Sequence, residues 1–190
     1  MHERPGRPRD ASIDERVLDA ARRHLAEHGY EGLSLAAVAA DAGTTRPAVY
    51  RRWPGKPELA TAAIAALSRA EDRPDTDDPF ADLVDELEAF RRGVTRPDGL
   101  SLVGTMLQRG TEPRLVELYR ARVVAPRRAR LRALLERAVA SGELAGGDVD
   151  LAVASLTGSF YALALADALP GDWPARAAAH AWRALGGTPR

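Results

Sequence analysis

The sequence contains no cysteine, which excludes disulfides and thiolate metal sites and makes a reducing compartment unproblematic. Aromatic residues are only 5% of the chain, and no stretch alternates apolar with polar residues for long. Strands therefore have little to build from, and an all-α fold is expected. No apolar run approaches the roughly 18 residues that a membrane-spanning helix needs, and none stands at the N-terminus. The expectation is a protein that neither crosses a membrane nor is exported, and that works in the cytoplasm. An excess of either charge is also missing, since 27 basic residues balance 27 acidic ones. A polycation is excluded, but a local basic surface is not.

What is present is enough for a buried core: 190 residues, 45% of them hydrophobic, suit one large domain or two small ones. Charge is segregated along the chain. Arg4, Arg7 and Arg9 and the stretch Arg46 to Lys56 are basic, whereas Glu71 to Glu88 is strongly acidic. The acidic part would keep the remainder of the protein off a polyanion.

The stretch from Leu33 to Lys56, LSLAAVAADAGTTRPAVYRRWPGK, organises the rest. Ser34 is a good N-cap for a helix that carries Leu35, Val38 and Ala39 at helical spacing. Gly43 can take the left-handed backbone that ends this helix within a short turn. Thr44 or Thr45 can cap a second helix, with Pro47 in its first turn, where no amide is needed. Ala39, Gly43 and Val49 supply the small residue, the turn and the apolar knob that a helix-turn-helix requires. The outer face of the second helix offers Arg46, Pro47, Ala48, Tyr50, Arg51 and Arg52. Four basic residues and no acid lie between Arg46 and Lys56, with Tyr50 and Trp53 as aromatic surface. Such a face suits a phosphate-lined major groove, where arginine pairs bidentately with guanine. An ordinary helical hairpin with solvated charges does not explain the lack of acids.

Around this unit, Ser12 to His28 reads as a helix with a Ser12/Glu15 capping box and a stop at Gly29. His24 and His28 within it match the H-x-x-E-H pattern of some zinc peptidases. No third ligand accompanies them, and histidine near a helix C-terminus is favoured without any metal. The prolines, glycine and charges of the first residues form no core; a short basic tail around Arg7 suits either a minor-groove arm or plain solvent. Expected boundaries are an arm over 1–11, a DNA-binding domain over 12–70 with its helix-turn-helix at 34–53, an acidic linker over 71–79, and a helical domain over 80–190. About nine helices are expected in all. The long helix after Pro113 is expected to bend at Pro126, and its arginines 127, 128, 130 and 132 to be a solvated face.

The run S-L-x-x-V-A-x-x-A-G-T-T-x-x-x-V-Y-x-x-W-x-x-K-x-x-L, preceded by an amphipathic helix, strongly resembles the DNA-binding domain of the TetR family of transcriptional regulators, from about Ser12 to Leu67. That resemblance implies a homodimer on a palindromic double-stranded operator at the nucleoid, most simply a repressor, released by a small-molecule inducer. By the same resemblance Arg46, Pro47, Ala48, Arg51 and Arg52 fall where the family reads bases. Thr44, Thr45, Tyr50 and Lys56 fall where it holds phosphates, and Ser34 and Arg7 complete the expected DNA contacts. The C-terminal domain would enclose a largely hydrophobic inducer, with Phe90, Met106, Tyr119, Val123, Phe160 and Tyr161 as candidate lining; each also suits plain core. Its last two helices would pair with a second copy through Ala154, Ser155, Gly158, Ala177, Ala181 and Trp182, unless these are intrachain core. No catalytic residue, cofactor or metal is expected. The alternatives are a helical adaptor that binds only protein and a zinc-dependent hydrolase using His24 and His28.

Overall fold

The computed structural model describes residues 11–70, 74–96 and 103–189. Among these the chain is helical with no strand, and nine helices lie wholly within them. They are α1 (Ala11–Gly32), α2 (Leu35–Asp41), α3 (Arg46–Arg52), α4 (Lys56–Ala70), α5 (Pro79–Thr95), α6 (Pro113–Tyr119), α7 (Ala125–Ala140), α8 (Val149–Leu165) and α9 (Trp173–Ala184). A π-helical turn, Arg120–Val124, joins α6 to α7.

Helix starts and stops follow the local chemistry. Asp78 caps α5 by accepting from the amides of Phe80 and Ala81, and Asp148 caps α8 through the amide of Leu151. Gly29 interrupts α1 with φ 66°, which is the stop expected there. Ser12 lies inside α1 rather than ahead of it, and its hydroxyl accepts from Arg16. Pro126 neither breaks nor ends its helix. Lacking an N–H, it cannot donate to the carbonyl of Arg122, and the backbone widens just before it, so that the amide of Ala125 donates to Arg120 five residues back.

The described residues form two compact units. One comprises 11–66 and 103–118, the other 67–70, 74–96 and 119–189. The chain thus passes between them near residues 66, 96 and 118. Side chains explain why 103–118 joins the first unit: Tyr30 donates to Glu112 at 2.8 Å, and Arg114 reaches Glu58 of α4 at 3.0 Å.

In the first unit Val17, Ala20, Ala21 and Leu25 of α1 bury one stripe together with Val38, Val49 and Leu59 of the following helices. In the second, α5, α7, α8 and α9 enclose Leu87, Phe90, Leu134, Leu135, Leu156, Phe160, Trp173 and Trp182. Each fully buried side chain of this kind stabilises the fold by about 1.5–3 kcal/mol. The arginines of α7 are not a solvated face. Arg127 lies 3.6 Å from Glu86, Arg130 and Arg137 pair with Asp75, and Arg132 pairs with Asp150. Much of the acidic stretch is therefore neutralised within its own unit. Asp82 is the most enclosed of these acids. Burial alone pushes its carboxyl up, but hydrogen bonds from Arg137 and Thr76 outweigh that and hold it below the usual aspartate range.

Candidate DNA-binding interface

Two capped helices and one glycine turn build the site. Ser34 has extended backbone, and its hydroxyl accepts from the amide of Ala37 at 3.4 Å, which starts α2. Leu35, Val38 and Ala39 of α2 are buried. The chain then reverses at Gly43, where φ is +64°. A Cβ there would meet no neighbour within 4 Å, so it is the left-handed backbone and not space that calls for glycine. The amide of Thr44 closes the turn on the carbonyl of Ala39 at 2.9 Å. Of the two threonines Thr45 is the cap, accepting from Ala48 N at 3.3 Å, and Pro47 occupies the first turn of α3. Val49 is the single buried residue of α3 and fixes its rotation.

That rotation sorts the expected contacts. Arg46, Pro47, Tyr50 and Arg51 are exposed, Tyr50 by 44%, and Ser34 and Thr45 are exposed beside them. Ala48 and Thr44 are half-buried. Arg52 turns the other way: its Nε lies 2.5 Å from Asp14 of α1, and its Nη1 donates to the carbonyl of Ala48. Its charge is thereby compensated by an acid that lies outside the stretch Arg46 to Lys56. Trp53 is only 8% exposed and is core rather than aromatic surface. Lys56 donates to the carbonyl of Glu31 at 2.8 Å and lies 5.0 Å above the Tyr30 ring, an arrangement that secures the end of α1. Arg7 lies outside the described residues.

Two further residues hold this geometry. Arg16 donates from Nε to the carbonyl of Ala42 at the end of α2, placing a cation where the helix dipole is negative. His24 meets Asp41 of α2 at 2.7 Å, so its ring serves the α1 and α2 packing. His28 lies edge-on to it, 5.7 Å away between ring centres. Among the described residues no third histidine or acid joins them in a metal-sized group. Arg16 carries no signal in the sequence, because its partner is 26 residues away.

In the second unit the candidate pocket residues separate. Phe90 and Phe160 are core, in edge contact at 5.4 Å. Tyr119, Val123 and Tyr161 are half-buried, and Met106 belongs to the first unit. An open trough of about 820 Å³ lies between α8 and α9, lined by Phe80, Ser155, Ser159, Trp173, His180 and Arg183 among others. None of the expected lining residues borders it. Of the expected dimer residues, Ala154 and Gly158 are exposed and Ser155 and Ala177 half-buried. Ala181 and Trp182 are each 2% exposed and belong to the intrachain core, Trp182 packing edge-on against Phe80 at 5.1 Å.

Similarity to known proteins agrees with this geometry. Residues 17–63 match the model for bacterial regulatory proteins of the tetR family, and residues 73–181 match that for the tetracyclin repressor-like C-terminal domain. The HTH-type transcriptional regulator YdeS of Bacillus subtilis is 29% identical over 165 residues, which are 85% of this chain and 82% of YdeS. AqdR of Rhodococcus erythropolis, also an HTH-type transcriptional regulator, is 30% identical over 89% of this chain and 83% of its own. The crystal structure of the TetR family transcription regulator SCO0332 superposes with a TM-score of 0.70 at 29% identity, covering 93% of this chain and 98% of that one. These relatives are regulators rather than enzymes, and the chain belongs to the TetR family of transcriptional regulators.

Proposed function

We propose that the protein is a homodimeric repressor that sets α3 of each protomer into the major groove of an approximately palindromic operator and is released by a small-molecule inducer. The observation that carries this reading is the exposed Arg46, Tyr50 and Arg51 face of α3, free of acids and held rigid by the Thr45 cap and the Val49 anchor. Arg46 is the main base reader, by bidentate pairing with guanine, and Arg51 assists it. Ala48 offers only a methyl, suited to thymine. Ser34, Thr44, Thr45, Tyr50 and Lys56 grip phosphates. Arg52 acts through Asp14, positioning α3 rather than reading a base.

The dimer is supported by the outer face of α8. Leu151 is 63% and Leu165 88% exposed, and Ala154 and Gly158 lie between them at helical spacing. Exposed leucines flanking small residues suit close packing against a second copy. No helix among the described residues is long and apolar enough to cross a membrane, in keeping with action in the cytoplasm at the nucleoid. Titrating the protein with duplex DNA in rising salt tests the reading. A steep linear fall of log affinity with log salt is expected for several phosphate contacts; salt-independent binding, or none, would contradict it.

A further inference from the structure

The hydrophobic inducer expected from sequence leaves one cluster of the second unit unexplained. The guanidinium of Arg127 lies 5.2 Å over the ring of Phe90, with the Glu86 carboxylate 3.6 Å away. Glu86 and Phe90 are four residues apart on α5 and share a face. Phe90 is in edge contact with Phe160 at 5.4 Å and with Tyr161 at 5.9 Å. The phenols of Tyr119 and Tyr161 are pushed above the ordinary tyrosine range, by burial first, while the nearby Arg127 charge opposes the rise in both. A guanidinium and two phenols thus converge beside an aromatic wall. Both tyrosines are half-buried, and among the described residues neither phenol oxygen has a hydrogen-bond partner within the protein.

The π-helical turn makes this convergence possible. An α-helix rotates about 100° per residue, so Tyr119 and Arg127, eight apart, would diverge by about 80°. One extra residue absorbed in Arg120–Val124 brings them within about 20° of one face. Pro126, which causes the widening, is in this sense part of the cluster.

We infer that this cluster is the recognition site of the inducer and that the inducer is a small aromatic carboxylate, its carboxylate on the Arg127 fork and the Tyr119 and Tyr161 hydroxyls, its ring at the edge of the Phe90 and Tyr161 pair. The inference rests on the repressor reading above and names the chemistry of its ligand. Arginine matches a carboxylate bidentately, and phenols donate to an anion better than to a neutral oxygen. Glu86, which also lies 4.0 Å from Arg130, keeps a cation when Arg127 turns to the ligand. A neutral ring of the same size would gain the aromatic wall but not the charge-assisted bonds.

The full-length protein is titrated calorimetrically, without DNA, with benzoate, 4-hydroxybenzoate and 3-phenylpropanoate and with their amides. At least one acid is expected to bind saturably, about tenfold or more tighter than its amide. The double variant Glu86→Gln/Arg127→Gln, which removes both charges and leaves neither buried alone, is expected to lose that preference while keeping its melting behaviour. Tyr161→Phe should weaken the acid several-fold. No saturable binding of any acid, equal binding of acid and amide, or an unchanged preference in the double variant would overturn the inference. Because the titration contains no DNA, its outcome is independent of operator binding: a protein that binds these acids but no DNA would overturn the repressor reading instead.

Discussion

The Nε of Arg52, in the last turn of α3, lies 2.5 Å from the Asp14 carboxylate of α1. This pair separates two roles that look alike on a helical wheel. Arg46 and Arg51 are exposed, whereas Arg52 fastens α3 to α1. Arg52→Ala is expected to weaken binding to all duplexes alike and to cost about 1–3 kcal/mol of stability, since a partly buried carboxylate loses its partner. Asp14→Ala should do the same. Thermal melting beside binding to specific and random duplexes checks this; a changed base preference in Arg52→Ala would make it a reader after all.

Gly43 carries the turn at φ +64° with open space around its Cα. Gly43→Ala should therefore cost about 1 kcal/mol through the left-handed backbone alone. Gly43→Asn, which tolerates that region, should cost less. A larger loss for asparagine than for alanine in urea unfolding would contradict the assignment.

Asp82 gives a prediction in acid. Its folded value is depressed by Arg137 and Thr76, so its contribution is present above the unfolded range near 3.9 and lost as pH falls through the folded value. Asp82→Asn should destabilise the protein at neutral pH and flatten the acid limb of its stability profile. An acid limb identical to wild type would show that other carboxylates dominate it.

Tyr30 works in the opposite direction. Burial, and then the hydrogen bond to Glu112, push its phenol above the ordinary value. A raised folded value means stability that is complete below about pH 10 and lost as pH rises beyond it. Tyr30→Phe should lower stability at neutral pH by about 1 kcal/mol and reduce the alkaline loss. Melting curves between neutral and strongly alkaline pH would show whether the two effects go together.

Local chemistry made the helix-turn-helix legible. The Ser34 and Thr45 caps, the Gly43 reversal and the buried Ala39 and Val49 all depend on neighbours within a few residues. What sequence could not supply were partners far along the chain. Arg52 reads as a base contact until folding brings it to Asp14, Arg16 gives no signal of its bond to Ala42, and the α7 arginines read as a solvated face until they meet Asp75 and Glu86. Trp53 and Trp182 fit an exposed face by spacing, yet their size makes burial the better use of them. Pro126 was recognisable as a perturbation, but nothing in its neighbours distinguishes a bend from a π turn. The Tyr119 and Arg127 convergence depends on that difference.

The central claim is that α3 reads DNA through Arg46. Selection of bound duplexes from a random pool, with wild type beside Arg46→Ala, tests it most directly. Wild type should enrich a palindrome, and the variant should bind it about 1–3 kcal/mol more weakly with preference lost at one position in each half-site. No enrichment by wild type, or an unchanged preference in Arg46→Ala, would contradict the claim.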